Sequence, residues 1–354
     1  MNKERLNGLC AYETINIVEA MERIDANSSG ILFVIDSEEK LVGVVTDGDI
    51  RRWLIKTGNL ETPISSFMNR NPLYLYSGDR KKAPALMREK DITGLPIVDL
   101  EKKLLDIVLP NDVEIEVKNS KALSNVPVIV MAGGKGTRLY PYTKILPKPL
   151  IPIGDVPILE RIINRFCDYG ASKYYMTVNY KKGMIKAHFA ELDPDYTIEY
   201  VEENKPLGTG GSIKLINKKF DVPVIVTNCD TLIEADYEDI YNHHKNSGNA
   251  LTMVAALKNI EVPYGVVRST ENGVITALEE KPKLSYFINT GMYIVNPEML
   301  DKIPEDTFFH MTHLAEKLMA EGLQVGMYPI SEDSFLDMGE FEEMRRMEEK
   351  LNIK

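Results

Sequence analysis

A glycine loop beside basic side chains is the part of this 354-residue sequence best suited to chemistry. Residues 128–150 read VIVMAGGKGTRLYPYTKILPKPL, in which Gly133, Gly134 and Gly136 are followed closely by Arg138. Glycine lets the backbone approach a ligand closely, and successive amides that point the same way form an anion-binding nest. The guanidinium of Arg138 adds a planar set of donors that suits phosphate oxygens. The stretch therefore predicts a phosphate site, the alternative being an ordinary solvated turn.

The composition of the whole chain makes this basic cluster more informative. The formal net charge is -11 and the pI is near 5.2, which argues against a general nucleic-acid surface. No apolar run approaches the roughly 20 residues that cross a bilayer, and the first residues lack the apolar core of a secretion signal. Cys10, Cys167 and Cys229 are too few and too scattered for a disulfide framework or a zinc site. We expect a cytoplasmic protein without nucleic-acid or membrane partners.

Other kinds of active site find little support in the sequence. The P-loop spacing is absent, and the G-x-G-x-x-G pattern fails because Leu139 occupies the third glycine position. No Ser-His-Asp or Cys-His arrangement is evident. We expect His310 and His313 to have core or capping roles and the His243-His244 pair to lie on the surface.

The elements around the glycine loop alternate between strand and helix, which is typical of an α/β sheet. Strands are predicted at 126–131, 174–178 and 223–227. A helix is predicted at 155–170 with Asp155 as its N-cap. An Asn272-Gly273 pair predicts a hairpin turn. Two domains are expected, at residues 1–118 and 126–354, with a linker at 119–125.

Residues 1–118 contain a weak internal repeat. Strands predicted at 31–35 and 41–45 correspond to strands at 95–98 and 104–109, and each pair follows a helical pattern. The segment GVVTDGDIRR resembles a tandem CBS-domain pair, which is a small α+β module. By that resemblance Thr46 and Asp49 contact a nucleotide ribose. Asp112 keeps the carboxylate position of the second copy, but Leu109 replaces the hydroxyl, so a regulatory nucleotide site and a purely structural module both remain open.

The second half of the chain resembles the sugar-1-phosphate nucleotidylyltransferases. Their signature A-G-G-x-G-T-R-L-x-P-x-T, followed after a short gap by P-K-P-L, is met at every position between Ala132 and Leu150. The resemblance covers residues 126–354 and implies a Rossmann-like mixed α/β sheet. Further along, PLGTGGSI resembles the loop that receives the base and ribose.

The resemblance also implies individual roles. The residues implied to hold the nucleoside triphosphate are Gly133, Gly134, Gly136, Thr137, Arg138, Gly208 and Thr209. Lys148 is implied near the α-phosphorus and Lys281 on the sugar phosphate. The residues implied to contact sugar hydroxyls are Gly265, Glu280 and Asn289. Asp230 and Asp337 are implied to hold Mg²⁺ through oxygen, although each alone could be a helix cap.

The implied reaction needs no side-chain nucleophile, because a phosphate oxygen is already ionised at neutral pH. Catalysis then consists of positioning and electrostatic stabilisation, with the metal neutralising the phosphates and aligning an in-line attack.

The base and the sugar are predicted from the same resemblance. The segment ENKPLGTGG lacks the glutamine that thymidylyl- and uridylyltransferases place before this loop, and it is similar to the guanylyltransferase branch. A CBS pair ahead of the transferase half resembles the glucosamine-1-phosphate guanylyltransferases of bacterial legionaminic acid synthesis. We therefore expect GTP and glucosamine 1-phosphate as substrates, and a homo-oligomer. The alternatives are mannose or heptose 1-phosphate, uridylyl or thymidylyl transfer to glucose 1-phosphate, and a nucleotide-sensing regulator with an inactive transferase half.

Overall fold

The computed structural model describes residues 3–27, 29–90, 92–112, 120–339 and 341–351. The chain divides into two compact units. One unit comprises Met1–Lys118 and Asn259–Tyr286, and the other comprises Asn119–Lys258 and Phe287–Lys354. None of the helices in the described ranges combines the length and the apolar character needed to cross a bilayer.

The described residues between 3 and 112 form two copies of one small α+β motif. Their elements are α1 (Lys3–Leu9), β1 (Cys10–Tyr12), α2 (Ile17–Asn27), β2 (Ile31–Ile35), β3 (Leu41–Thr46), α3 (Asp47–Thr57), β4 (Leu75–Tyr76), α4 (Ala83–Lys90), β5 (Leu95–Val98) and β6 (Leu104–Val108). The sheet orders are β1-β2-β3 and β4-β5-β6, each with one parallel and one antiparallel pairing. The register of each antiparallel pair shifts at the same place, near Ile35 and near Val98. The predicted duplication is therefore confirmed.

The two copies meet through their charged turns and through a shared core. Glu39 and Lys102 both have left-handed backbones, and the Leu104 N–H donates to the Glu39 carbonyl at 3.0 Å while the Leu41 N–H donates to the Lys102 carbonyl at 2.9 Å. Apolar side chains from strands of both copies, such as Phe33, pack in one cluster. Neither copy is large enough to bury its apolar face alone, so the pair folds around a common core.

The segment 259–286 completes this first unit. It holds the antiparallel strands β15 (Val266–Ser269) and β16 (Ile275–Glu279), and Asn272 and Gly273 take φ angles of 70° and 73° in the turn between them. The predicted hairpin turn is confirmed. An ion pair of 3.4 Å between Lys283 Nζ and Glu22 Oε1 joins the segment to helix α2.

A seven-stranded mixed sheet organises the second unit. The elements that precede segment 259–286 are β7 (Val128–Ala132), α5 (Tyr142–Ile145), β8 (Pro152–Ile153), β9 (Val156–Pro157), α6 (Ile158–Cys167), β10 (Lys173–Val178), α7 (Lys182–Glu191), β11 (Thr197–Glu202), α8 (Gly208–Gly211), β12 (Val224–Asn228), β13 (Thr231–Ile233), α9 (Tyr237–Ser247) and β14 (Leu251–Glu261). The elements that follow are β17 (Lys283–Val295), α10 (Met311–Ala320), β18 (Val325–Ile330), β19 (Phe335–Asp337) and α11 (Phe341–Lys350). The sheet order is β11-β10-β7-β12-β17-β14-β18, with β17 antiparallel to β12. The expected Rossmann-like mixed α/β sheet is confirmed.

The central strand β7 is buried on both faces, as expected for a parallel strand covered by helices. Val128 and Val130 pack in one cluster with the apolar face of α6, whereas Ile129 and Met131 pack in a second cluster with α10. The loop that leaves this strand therefore starts from a rigid position.

Two local predictions are wrong. Helix α6 begins at Ile158, and Asp155 lies instead in the tight turn between β8 and β9, where Gly154 takes a φ of 67°. His244 is buried, not on the surface; its Nδ1 pairs with Thr252 Oγ1 at 2.8 Å and its Nε2 with Asn296 Oδ1 at 3.0 Å. Burial lowers the pKa of His244 below its usual value.

The residues expected to form a linker are partly packed. Residue 119 lies outside the described residues. Among residues 120–125, Leu123 is fully buried and its N–H donates to the Tyr169 carbonyl at 2.9 Å. This stretch therefore packs against the second unit.

Candidate active site

The candidate site lies at the carboxyl ends of parallel strands in the second unit. Strands β7, β10 and β12 are mutually parallel, so the loops after Ala132 and Asn228 leave the sheet at one edge. Ligand sites of open α/β sheets occupy this edge. A cavity of about 440 Å³ lies there, and its walls include the glycine loop, Lys148, Asp230 and Thr209.

The glycine loop is shaped by close contacts that exclude larger side chains. Gly136 takes a φ of 64°, and a Cβ atom there would come within 2.9 Å of Lys148 Cβ. A Cβ atom on Gly133 would lie 2.5 Å from Glu203 Oε1. Gly134 has open space around it. The loop therefore passes directly over Lys148 and Glu203 and leaves its middle glycine facing the cavity.

Lys148 is a buried cation paired with a carboxylate. Lys148 lies between Pro147 and Pro149 in the chain, at the start of a short 3₁₀ turn, and the residue is 8% exposed. The ammonium group forms an ion pair with Asp230. The prolines restrict the backbone around Lys148, so the cation is held in place at the cavity wall.

Asp230 and Asp337 are brought together by strand pairing. Strands β13 and β19 are antiparallel, with Thr231 opposite Asp337, and the Met338 N–H donates to the Asp230 carbonyl at 2.9 Å. Burial and the nearby Asp230 carboxylate raise the pKa of Asp337 to about 6, although Lys148 and Arg138 oppose this. A Cβ atom on Gly339 would lie 2.8 Å from Asp337 Oδ2 and 3.3 Å from Arg138 Nη1. The structure thus places both predicted carboxylates beside Arg138 and Lys148, which are two of the three predicted cations.

This pair of carboxylates fits a divalent cation. Burial and, after it, the neighbouring Asp230 carboxylate disfavour the charged form of Asp337, and a cation bound between the two carboxylates would offset both effects. Carboxylate oxygens suit Mg²⁺, which usually takes one or two protein carboxylates and completes its shell with water and substrate phosphates. Within the described residues, no group of three or more His, Cys, Asp or Glu side chains forms a metal cage. Asp230 and Asp337 would hold such an ion.

A second cavity of about 290 Å³ adjoins the first and shares Arg138 and Asp230 with it. Its walls add Asp337 and Asn289. The Asn289 amide donates to Tyr293 Oη at 2.6 Å, which fixes the orientation of this side chain. The two cavities give room for two ligands around one cluster of charged groups.

The loop Gly208–Gly211 is fastened to the segment that enters helix α10. The N–H groups of Gly210 and Gly211 both donate to the Phe309 carbonyl at 2.9 Å, and the Phe309 N–H donates to the Leu207 carbonyl at 2.9 Å. A Cβ atom on Gly208 would lie 2.6 Å from the Phe309 oxygen. Only glycine allows this close approach.

The histidines on the same segment have the capping role that the sequence predicts. His310 is the N-cap residue of α10, and its N–H donates to His313 Nδ1 at 3.2 Å.

Three predicted sugar-site residues belong to the first unit. Gly265, Glu280 and Lys281 lie in segment 259–286, where a Cβ atom on Gly265 would be 2.9 Å from Glu280 Oε2. Lys281 has a left-handed backbone with a φ of 46°. These residues are close to one another within the hairpin.

The predicted regulatory residues form helix caps. Thr46 Oγ1 and the Thr46 N–H both donate to Asp49 Oδ2, at 2.7 and 2.9 Å, at the start of α3. Asp112 accepts equivalently from the Leu109 N–H at 2.9 Å in the second copy. Thr46, Asp49 and Arg52 also line a cavity of about 310 Å³ that includes apolar side chains of β2 and residues 92–94. Asp112 is not among the residues that line it.

Sequence reasoning missed Glu203. This glutamate follows strand β11, is 6% exposed, and lies in the wall of the larger cavity beneath Gly133. Burial raises the pKa of its carboxyl group. The neighbouring Cys229 is a buried residue with a raised thiol pKa, as expected for a small packing residue and not for a nucleophile.

Comparisons with known proteins agree with this geometry. Residues 127–353 match the nucleotidyl transferase family, and residues 7–56 match the CBS domain. The chain is 35% identical over 185 residues to a mannose-1-phosphate guanyltransferase of Debaryomyces hansenii, which is 49% of this chain and 51% of that protein. The corresponding Saccharomyces cerevisiae protein is 34% identical over 185 residues, with the same coverage of 49% and 51%. The chain thus spans about half the length of these curated relatives.

A solved structure supports the same assignment. The crystal structure of HddC from Yersinia pseudotuberculosis is 26% identical, with a TM-score of 0.51 over 64% of this chain and 99% of that chain. The family match spans more than half of the residues, so the chain belongs to the nucleotidyl transferase family and carries an N-terminal CBS domain.

Proposed function

We propose that the protein transfers a nucleoside monophosphate from a nucleoside triphosphate to a sugar 1-phosphate and releases pyrophosphate. The observation that carries the proposal is the cluster of Arg138, Lys148, Asp230 and Asp337 at the junction of two cavities. Two anionic substrates repel each other, and this cluster supplies cations for both and carboxylates that would hold a divalent metal ion. The larger cavity takes the nucleotide and the smaller cavity takes the sugar 1-phosphate.

Each group has a defined task in this proposal. The amides of the glycine loop and the Arg138 guanidinium hold the β- and γ-phosphates, and Lys148 stabilises charge that develops at the α-phosphate. Asp230 and Asp337 would hold Mg²⁺, which would supply positive charge to neutralise the phosphates. The attacking oxygen belongs to the sugar phosphate and is already ionised. The fixed positions of Lys148 and Asp230 reduce the reorganisation that accompanies the reaction.

Guanine is the base that Glu203 favours. Guanine presents two neighbouring donors, its N1–H and its 2-amino group, and a carboxylate offers two acceptors to such a pair. Adenine pairs a donor with an acceptor, and the N3–H of uracil or thymine lies between two acceptors. A buried glutamate in the wall of the nucleotide cavity therefore supports GTP as the donor substrate.

Glucosamine 1-phosphate is the acceptor that we propose, on the basis of the CBS module ahead of the transferase half. Mannose 1-phosphate is the second candidate, because the curated relatives bear the name mannose-1-phosphate guanyltransferase. In the first case the product would supply bacterial glycan synthesis of the legionaminic acid type.

A substrate matrix tests both assignments. Four nucleoside triphosphates are combined with the 1-phosphates of glucosamine, mannose, glucose and a heptose, with and without Mg²⁺, and pyrophosphate release is measured. We expect turnover that depends on Mg²⁺ and is highest with GTP. A preference for UTP or dTTP would reject the guanylyl assignment, and no release with any pair would reject transfer altogether. An Asp230→Asn variant that retains turnover would contradict the metal role.

We further propose that the CBS module binds an adenine or guanine nucleotide in the cavity beside Thr46 and Asp49 and thereby adjusts turnover. The cavity supports this proposal because it combines the polar side chains of Thr46, Asp49 and Arg52 with apolar walls.

A double variant with a matched control tests this regulation. Thr46→Ala with Asp49→Ala should abolish nucleotide binding to the module and its kinetic effect. Asp112→Ala removes the equivalent cap of the second copy without altering that cavity, and should retain both. Equal behaviour of the two variants would make the module structural.

A further inference from the structure

His310 lies beside both cavities of the candidate active site. It lines the smaller cavity together with Asn289, Thr312 and Asp337. Its ring also packs edge-on against Phe308, with centroids 4.8 Å apart, and Phe308 lines the larger cavity. Its N-cap position and the hydrogen bond from its N–H to His313 Nδ1 account for its backbone.

The hydrogen bonds around His310 determine which ring nitrogen carries the proton. The Thr209 N–H, which can only donate, points at His310 Nδ1 at 3.3 Å. Thr209 Oγ1 accepts from the Met311 N–H at 3.3 Å and lies 3.2 Å from Nδ1, so its own proton is directed to Nδ1 as well. Nδ1 is therefore an acceptor, and the neutral ring carries its proton on Nε2.

The Nε2–H group is then available as a hydrogen-bond donor. No described residue accepts a hydrogen bond from it. The cavity that His310 lines is rich in polar groups, with Asn289, Thr312 and Asp337 in its walls. Such walls suit a ligand covered with hydroxyl and phosphate oxygens.

We propose that His310 is a substrate-positioning residue with two roles, one on each nitrogen. Nδ1 accepts hydrogen bonds from Thr209 and so holds the loop Gly208–Gly211 in place. Nε2–H donates a hydrogen bond to an oxygen of the sugar 1-phosphate. The inference rests on the proposed function, which assigns the smaller cavity to that substrate. One side chain thus fixes the distance between the two substrates.

Two substitutions separate the roles. In His310→Asn the amide oxygen replaces Nδ1 as the acceptor for Thr209, and the Nε2–H donor is lost. In His310→Gln the amide nitrogen reaches the position of Nε2, and the hold on Thr209 is weakened. The loss of one uncharged hydrogen bond corresponds to roughly a three- to tenfold effect.

Steady-state kinetics of pyrophosphate release give the first readout. We expect His310→Asn to raise the KM for the sugar 1-phosphate and to leave the KM for GTP within about twofold, and His310→Gln to do the reverse. His313→Asn is the matched control, because it alters the adjacent capping histidine, which does not line either cavity, and should change neither constant. If His310→Asn changes both constants equally, or neither, the proposal is wrong.

A readout that needs no turnover separates this inference from the proposed function. In protein labelled with ¹⁵N-histidine, the His310 signal should report a neutral ring protonated at Nε2. Glucosamine 1-phosphate or mannose 1-phosphate should shift the Nε2 resonance, and an equal shift with inorganic phosphate would assign the accepting oxygen to the phosphate group. A ring protonated at Nδ1, or no shift with any of the three probes, would overturn the proposal. If the shift occurs but no substrate pair releases pyrophosphate, the proposed function fails and the site assignment stands.

Discussion

Glu203→Gln is expected to weaken the preference for guanine without harming the fold. The substitution keeps the size of the side chain and replaces one acceptor oxygen by an amide donor. That donor would face a donor of guanine, so a charge-assisted hydrogen bond is lost. Such bonds contribute about 1.5–3 kcal/mol, which corresponds to a fall of roughly 10- to 150-fold in kcat/KM for GTP.

The same change should make UTP and dTTP better substrates. An amide presents one acceptor and one donor, which complements the N3–H of uracil or thymine and one of its flanking carbonyl groups. We therefore expect kcat/KM for UTP or dTTP to rise while that for GTP falls. The ratio of the two constants, measured by pyrophosphate release, is the diagnostic quantity, because general damage to the site would lower both.

Stability provides an independent check on this variant. Burial raises the pKa of Glu203 in the folded protein, so the charged form is disfavoured by folding. Its contribution to stability is full at pH values below the unfolded pKa and is lost as pH rises through the folded pKa. Near pH 7.5 an uncharged glutamine removes that cost, but its amide nitrogen replaces one of the oxygens that accept from Ser212, Thr177, Asn179 and the Leu207 N–H, so the Tm of Glu203→Gln should stay close to that of the unaltered protein.

Glu202→Gln is the matched control for the loss of charge. Glu202 precedes Glu203 in the chain but pairs with Lys182 and Lys186, each at 2.5 Å, and these lysines lower its pKa to about 2. It does not line the nucleotide cavity. Its substitution should leave the ratio of kcat/KM for GTP to kcat/KM for UTP unchanged. If Glu202→Gln and Glu203→Gln alter the ratio equally, or if Glu203→Gln leaves it unchanged, the role of Glu203 in reading the base is refuted.

Three further changes test other parts of the structure. Gly133→Ala places a Cβ atom 2.5 Å from Glu203 Oε1 and should raise the KM for GTP about tenfold or more, whereas Gly134→Ala, with open space around it, should raise it less than about twofold. Because the pKa of Asp337 is raised to about 6, protons should compete with Mg²⁺ for its carboxylate below that pH. A Mg²⁺ titration of activity at pH 5.5 should therefore show an apparent Mg²⁺ affinity roughly fourfold weaker than at pH 7.5. Equal affinities at the two pH values would contradict the assignment of Asp337 as a metal ligand. Because the pKa of His244 is lowered, its contribution to stability is lost as pH falls below 6.5, by up to about 1.4 kcal/mol per pH unit. The free energy of unfolding, measured with denaturant between pH 5 and 7, should therefore depend less on pH for His244→Gln than for the His243→Gln control.

The chemistry of the site could be predicted from the sequence to the extent that it depends on local motifs. The glycine loop follows a strand whose apolar residues identify it, and Asp230 follows another such strand, so their common edge follows from parallel pairing. Strand β19 is short, and its pairing with β13 over a gap of about a hundred residues is not visible in the local pattern. The predicted juxtaposition of Asp337 and Asp230 therefore depended on family resemblance.

Glu203 shows what local patterns leave undetermined. The pair Glu202-Glu203 looks uniform in sequence, yet one carboxylate faces two lysines of helix α7 and the other faces the cavity. Which glutamate faces inward is set by the register of β11 against β10, where Glu202 lies opposite Val178. That register is a property of the assembled sheet.

The burial of His244, by contrast, can be predicted from the sequence. Helix α9 buries Tyr237, Ile240, Tyr241 and His244, which recur at the spacing of one helical face. The pattern places His244 on that face and His243 off it. The helical spacing alone therefore predicts that His244 is buried and that His243 is not.

The course of the chain between the two units bears on how the protein can be divided. The backbone passes from one unit to the other near residues 118, 258 and 286, so no single cleavage separates them. A protein shortened to begin at residue 119 would keep segment 259–286 but lose the residues with which that segment forms a unit, including Glu22, the ion-pair partner of Lys283. Tyr264 and Leu278, already 75% and 73% exposed, lie on that segment. Removing the N-terminal half would leave this hairpin without the residues that it packs with. Poor solubility of the shortened protein would therefore not test whether the CBS domain influences catalysis.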